Sequence, residues 1–523
     1  DREFDFSRGT TATFVGRNGL IQESVLTGTE LVTNGDFATD SDWSKTNATI
    51  SNGLATITVT NGSYSALAQS MTYATGKKYI ITAQIQGLSG SSGKQIKFQD
   101  RGDNTGGLNL SNGLITLNET LQNIEISWTA NSNSNIIVIT RQSNSGDYSF
   151  TIDNVSIKEI QLDVPRIDFT DDPTGHLLLE PQSTNILAYS QDFSQNYWGL
   201  TSATVTTSTI TDPTGDQNSF KLVPNSGTGG NRSISKNFTG LSGLHTQSVF
   251  AKKGEYNYIA LRTRNGPSAS VMFDLENGTF NVNSTSVGFV SAKIEDYGSG
   301  WYKCSMTLDP SQMSTAGKIY TSFSVGITGN ETNSFDGDGT SGVYIFGAQF
   351  EQKSYPTSYI PTSGSAVTRN QELCNNSGTV NDFNSEEGVL YAEIAALAND
   401  STYRLISLSD GTNNNRVNLG FSNVSNKIMA SISVGGVFQA SLAHSVSNVT
   451  QYNKVAIKYK LNDVSLYVNG TEVNTDTSVT IPSILNSLQF TSGSLSSVFY
   501  GKTKNLKVFK RALTDAELQE LTT

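Results

Sequence analysis

Short runs in which apolar and polar side chains alternate recur along the whole chain, separated by Asn-Gly, Asp-Gly and Ser-Gly pairs. A period of two puts one face of each run in a core and the other in solvent, so these runs are strands joined by tight turns. Helical periodicity is almost absent. The clearest hairpin sets Val455, Ile457, Tyr459 and Leu461 on one face, turns at Asn462-Asp463, and returns through Val464, Leu466 and Val468 to an Asn469-Gly470 turn. The pattern predicts an all-β fold of three tandem antiparallel β-sandwich (jelly-roll) modules. The single helix expected is at the end, where Thr514 followed by Glu517 forms a capping box.

An internal repeat sets the module boundaries. Leu31-Val32-Thr33-Asn34-Gly35-Asp36-Phe37 with Trp43 is echoed by Ile186-Leu187-Ala188-Tyr189-Ser190-Gln191-Asp192-Phe193 with Trp198. The first module closes on Phe150 to Ile157 and the second on Val343 to Phe350, so first and last strands are expected to be neighbours. The resulting division is 1–29 as an N-terminal linker or attachment segment, 30–160, a linker 161–185, 186–353, a linker 354–383, and 384–523. Prolines at 165 and 356 hold the two linkers extended.

The length of 523 residues suits several cores, and a charged content of 15% with net charge -11 argues against a basic nucleic-acid surface. With 36% hydrophobic residues the chain can bury enough apolar area to fold, and no apolar run is long enough to cross a bilayer as a helix. Cys304 and Cys374 make neither a disulfide framework nor a zinc pattern, and are read as buried or incidental thiols. Residue 1 is Asp without a leader-like sequence after it, which leaves a processed terminus and a fragment both open. His176, His245 and His444 lie in separate segments, and no nucleophile elbow, metalloprotease motif or phosphate loop is present. No catalytic residue is assigned: Glu386 and Glu387 are adjacent, point to opposite faces, and do not form the paired carboxylates of a glycosidase with Glu393.

Three stretches resemble known families. Asn34-Gly35-Asp36-Phe37 with Trp43, the strand at Tyr79-Ile80-Ile81-Thr82-Ala83 and Ile152-Asp153-Asn154-Val155 resemble jelly-roll carbohydrate-binding modules. Leu177 to Asn185, Gly300 to Cys304 and Tyr355 to Pro361, with the opening Asp5 to Thr13, resemble a recurrent segment of tailed-bacteriophage tail and fibre proteins. Leu466 to Gly470 and Arg511 to Glu517 resemble concanavalin A-like (laminin G-like) lectin domains. Together these imply a non-enzymatic virion surface protein, a tail fibre, adhesin or head decoration, binding polysaccharide or cell-surface glycans. Its other expected partners are virion proteins and further copies of itself. Two alternatives stay open: accessory modules of a secreted polysaccharide-degrading enzyme, and a purely structural decoration protein. No heptad run or Gly-X-Y shaft is present.

Sugar recognition needs rings that stack on pyranose faces and polar groups that bond hydroxyls. The four tryptophans read as core. Tyr64, Tyr73, Tyr197 and Tyr256 lie in polar, loop-like surroundings and are the aromatic candidates. Arg404, Asp410 and Arg416 bracket a polar hairpin tip of the third module and are the polar candidates. The carbohydrate-binding-module resemblance further implies a structural calcium near the paired module ends, with Asp36, Asp153 and Asp192 as ligands. The triplet Arg101-Gly102-Asp103 is read as a turn.

Overall fold

A computed structural model describes residues 3–100, 108–130, 136–142, 146–227, 232–263, 269–284, 288–312, 319–326 and 335–523. The fold is all-β, built from antiparallel strands. The α-helix among the described residues, Asp515–Thr522, carries the expected capping box: the Thr514 hydroxyl accepts from the Glu517 amide and the Glu517 carboxylate accepts from the Thr514 amide. The Arg101-Gly102-Asp103 triplet lies outside the described residues. No helix among the described residues is long and apolar enough to cross a membrane. The chain divides into two compact units, Val25–Leu162 and a larger one formed by the segments on either side of it.

In Val25–Leu162 a five-stranded and a six-stranded sheet supply one core. The alternation is plain in Lys78–Gly87, where Tyr79, Ile81, Ala83 and Ile85 are buried while their neighbours are half-exposed. The opening motif lies against the closing strand, with the Leu31 amide donating to the Ile157 carbonyl and the Val155 amide to the Gly35 carbonyl. Gly35 is required there, because a Cβ would meet the Val155 carbonyl oxygen at 2.0 Å.

The larger unit holds two sandwiches. The middle one is made of two six-stranded sheets, the C-terminal one of a seven-stranded and a five-stranded sheet. The internal repeat recurs in three dimensions. Trp43 Nε1 donates to the Asn34 carbonyl at 3.0 Å and packs on Phe37; Trp198 Nε1 donates to the Tyr189 carbonyl at 3.2 Å and packs on Phe193. All four tryptophans are buried. The expected hairpin forms from Asn453–Lys460 and Val464–Val468, pairing Val455 with Val468 and Ile457 with Leu466, with Asn462 and Asn469 in the left-handed conformation. Leu461, expected on the apolar face, falls in the turn and is exposed.

The segments expected as linkers are integral to this unit. Arg166–Asp168 and His176–Leu179 extend the seven-stranded sheet, Ser183–Asn185 pairs with Val367–Arg369, and the N-terminal strand Asp5–Ser7 pairs with Leu373–Asn375. What joins them is a buried cluster of Arg8, Arg166, Arg369, Glu180 and Glu372. Glu372 accepts from Arg8 Nη1 and Arg166 Nε, each at 2.8 Å, from Arg166 Nη2, and from the Glu180 amide at 2.8 Å. Glu180 accepts from Arg369 Nη1 at 2.7 Å and from the Ser358 amide and hydroxyl. Carboxylates matched to guanidinium forks in this way satisfy nearly every donor that burial would otherwise strand.

Candidate saccharide-binding face

The five-stranded sheet of the C-terminal sandwich runs in the order Val437–Ser445, Lys427–Val434, Arg416–Phe421, Arg404–Ser409, Ser487–Gln489. Its inner face is apolar, with Leu488, Leu408, Val417, Ile432 and Ala440 aligned across the strands. Side chains alternate, so the register aligns a different set on the outer face. One row is Ser487, Ser409, Arg416, Ser433, Phe438, and the next is Gln489, Ser407, Asn418, Ser431, Ser441. Strand spacing of about 4.8 Å puts Arg416, Ser433 and Phe438 within about 10 Å of one another.

This face is closed over the strands Ser487–Gln489 and Arg404–Ser409 and opens at the Val437–Ser445 edge, where Phe438 and Ser441 are exposed above buried Asn418, Ser431 and Ser433. On the closed side Ser407 Oγ accepts from the Gly493 amide, Ser409 Oγ from the Gly411 amide, and Gln489 bonds Ser487 and Thr491. On the open side Asn418 donates through Nδ2 to Ser431 Oγ, but its Oδ1, the Ser433 hydroxyl and Arg416 Nε are buried without a hydrogen-bond partner among the described residues. Buried polar atoms in native proteins are nearly always satisfied, so three together on one face mark a surface completed by water or ligand. Beside them Phe438 is 60% exposed, with the Arg416 Cζ 5.6 Å from its ring centroid. Phe438 points outward because the pairing slips between Ile432 and Ser433, which reverses the alternation at the start of its strand.

The hairpin tip fixes this edge. Asp410 Oδ1 accepts from the Thr412 amide and hydroxyl and Oδ2 accepts from Asn415 Nδ2, while Asn413 and Ser494 exchange two hydrogen bonds. Burial pulls the Asp410 carboxyl upward, but the bonds from Thr412 and Asn415 overcome it and hold the group below its ordinary range. Burial lowers the Arg416 pKa against the opposing pull of Asp410. Gly493 sits at φ +82° with Thr412's carbonyl 2.2 Å from where a Cβ would be, so no other residue fits.

Of the residues expected from sequence, Arg416 belongs to this face, and Asp410 serves it by organising the turn. Arg404 does not. It is 4% exposed, chelated by Asp400 at 2.6 and 2.7 Å, and paired with Phe421 at the far end of the strand from Arg416. Tyr73 is 1% exposed, wedged between Tyr79 and Trp128 with its hydroxyl on Met71 Sδ, and is a core residue. Tyr64 is 42% exposed. Tyr197 is half-buried against Tyr189 and Trp198, with Lys236 Nζ 3.9 Å from its ring centroid. Tyr256 is half-buried on Phe335. None of these four tyrosines lies in the sandwich that carries the open face.

The three expected calcium ligands each accept hydrogen bonds within their own turns. Asp192 caps its own turn through Ser194 and Gln195, Asp153 accepts from the Asn154 amide and side chain, and exposed Asp36 accepts from the Ala38 amide. Among the described residues no three acidic, histidine or cysteine side chains gather as a metal-binding group. Both cysteines are free and buried, and burial pushes the Cys374 thiol up to about 12.

Solved structures similar to parts of the chain include the tandem CBM22 domains of Paenibacillus barcinonensis Xyn10C. That pair is 12% identical, covers 62% of this chain and 98% of that one, and has a TM-score of 0.24. The CBM40 of Ruminococcus gnavus IT-sialidase, solved bound to alpha2,6 sialyllactose, is 18% identical over 28% of this chain and 94% of that one, TM-score 0.23. Mouse laminin alpha1 domains LG4-5 are 11% identical over 64% and 91%, TM-score 0.20. No curated protein sequence matches the chain. A family match covers residues 377–519, the sandwich that carries the open face, and that family is the concanavalin A-like lectin/glucanases superfamily.

Proposed function

We propose that this is a non-enzymatic glycan-binding protein, that the outer face of the C-terminal five-stranded sheet is its binding surface, and that it is displayed on a virion. The observation that carries the glycan reading is the row Arg416, Ser433, Phe438 beside Asn418, in which an exposed ring adjoins three buried polar atoms without partners. A ring for the C–H face of a pyranose and amide, hydroxyl and guanidinium groups for its hydroxyls are what saccharide recognition requires. The superfamily match of the same residues supports the reading. The virion placement is supported by the resemblance of the segments around Asp5 to Thr13, Leu177 to Asn185 and Tyr355 to Pro361 to tail and fibre proteins. Other virion proteins and copies of this chain would then be its neighbours, and weak single sites would gain avidity by copy number.

The test is retention of the purified chain in polysaccharide-containing native gels and on a glycan array. Phe438→Ala and Arg416→Ala each weaken retention about tenfold, the equivalent of ~1.4 kcal/mol, without moving the melting temperature. Loss of neither, with an otherwise blank array, removes the glycan reading and leaves a structural decoration. Release of reducing ends from a retained polysaccharide replaces binding by hydrolysis. Antibody detection of the chain on purified particles tests the placement.

A further inference from the structure

The middle and C-terminal sandwiches of the larger unit enclose a cleft of about 400 Å3, away from the sheet face. Lys293 and Glu295 line it from the strand Phe289–Asp296, the Tyr355-Pro356 corner adds a second wall, and Asp171, Gln451 and Lys502 a third. Two ion pairs stand on its wall, within a lining of five acids and three lysines. Lys293 Nζ is 2.6 Å from Glu295 Oε1, and Lys502 Nζ is 2.5 Å from Asp171 Oδ2. The other charges on the wall are already engaged. Glu180 belongs to the arginine cluster, both oxygens of Asp168 hold backbone amides of Val15 and Thr170, Asp296 holds the Gly298 amide, and Lys303 donates to the Thr357 carbonyl.

Such a wall has no excess of positive charge with which to draw in a phosphate or a uronate. It does set carboxylate acceptors beside ammonium donors, and a pair of vicinal hydroxyls can donate to one and accept from the other. Tyr355 and Pro356 give apolar surface for a ring face. The volume falls within the range of small-molecule sites.

We infer that this cleft is a second, independent binding site, one that takes a short neutral oligosaccharide through its hydroxyls. It shares no residue with the sheet face, so the two readings stand or fall separately.

The experiment is calorimetric titration of the full chain with cello-, xylo-, manno- and malto-oligosaccharides, with oligogalacturonate and inorganic phosphate as charged probes. Three proteins are compared: the parent chain, Phe438→Ala, and Phe438→Ala carrying Lys293→Ala and Gln451→Ala. Lys293 and Gln451 are both exposed, so their removal leaves the core intact. The expected result is saturable binding of at least one neutral series to Phe438→Ala, weakened about tenfold or more by the two cleft substitutions at unchanged melting temperature. The inference is overturned if no neutral series binds Phe438→Ala, if binding ignores the cleft substitutions, or if only oligogalacturonate or phosphate binds. Full binding by Phe438→Ala that the cleft substitutions abolish would sink the sheet-face reading and uphold this one.

Discussion

Glu372→Ala is the sharpest perturbation of the larger unit. The carboxylate is fully buried and is the common acceptor for Arg8, Arg166 and the Glu180 amide. Deleting it removes the Glu372 bond from Arg8, takes one of two carboxylates from Arg166, whose other is Glu180 at 3.0 Å, and leaves the Glu180 amide without its acceptor. Stranding charge in this way costs about 3–5 kcal/mol. Taking a urea m-value of ~3 kcal/mol/M, at the upper end for small domains, the midpoint of the larger unit falls by about 1–1.7 M. The assay is urea unfolding followed by fluorescence and circular dichroism. Val25–Leu162 has its own core and serves as an internal reference whose transition stays in place. Replacing Arg8, Arg166 and Glu372 together by Met, Met and Leu removes the charges with their partner, and the loss is smaller than for Glu372→Ala alone. A shift below ~0.3 M for Glu372→Ala, or a triple variant worse than the single one, would show that these groups are not held as a desolvated set and would refute the reasoning.

Two further outcomes follow from burial. Burial first, and Lys502 next, lower His176 to about 4, with Asp168 and Asp171 opposing; the unfolded chain binds the proton more readily, so the larger unit loses stability as pH falls from about 6.5 through 4, by on the order of 3 kcal/mol. His176→Phe flattens that limb in pH-dependent urea titrations and leaves the lower one, where Glu180, held at about 2 by Arg369 and Arg166 against its burial, protonates between about 4.5 and 2; an unchanged upper limb would assign it elsewhere. Tyr73→Ala empties a site among Tyr79, Trp128 and Met71 and destabilises Val25–Leu162 by about 3–5 kcal/mol, while exposed Tyr64→Ala changes it by less than about 0.5 kcal/mol; differential scanning calorimetry separates the two, and equal effects would contradict the packing.

The features legible in the sequence are those fixed within a few residues. The capping box at Thr514 and Glu517, the turns at Asn462 and Asn469, and the Phe37–Trp43 and Phe193–Trp198 pairs depend on local dihedrals and short spacings, and each is present as read. The arginine cluster was not legible, because its five members are drawn from positions 8, 166, 180, 369 and 372, and only the tertiary fold brings them together. Prolines near Arg166 and Glu180 signal extended chain, and extended chain fits an edge strand as well as a linker. Tyr64 and Tyr73 share polar neighbours, yet local polarity does not say which way a ring turns; Tyr73 turns inward because Tyr79 and Trp128 complete its surroundings.

The binding face shows the same limit in a more instructive form. Ser407, Ser409, Asn418, Ser431 and Ser433 alternate with Leu, Ile and Val, as the outward positions of any half-exposed strand would. Nothing in one strand distinguishes them from ordinary solvent-facing residues. They become a site only when pairing sets Arg416 opposite Ser433 and Ser433 opposite Phe438, and that second pairing exists because the register slips at Ile432. Without the slip Phe438 would take the inward phase of Ala440 and Leu442 and the face would lack its ring. The same register separates Arg404 from Arg416 by the length of a strand, so two arginines that look equivalent at a hairpin divide into one that clamps Asp400 and one that borders the open face. Recognition in this sandwich is therefore a property of cross-strand rows, and a single inserted residue in the strand Val437–Ser445 decides whether those rows end in an aromatic surface.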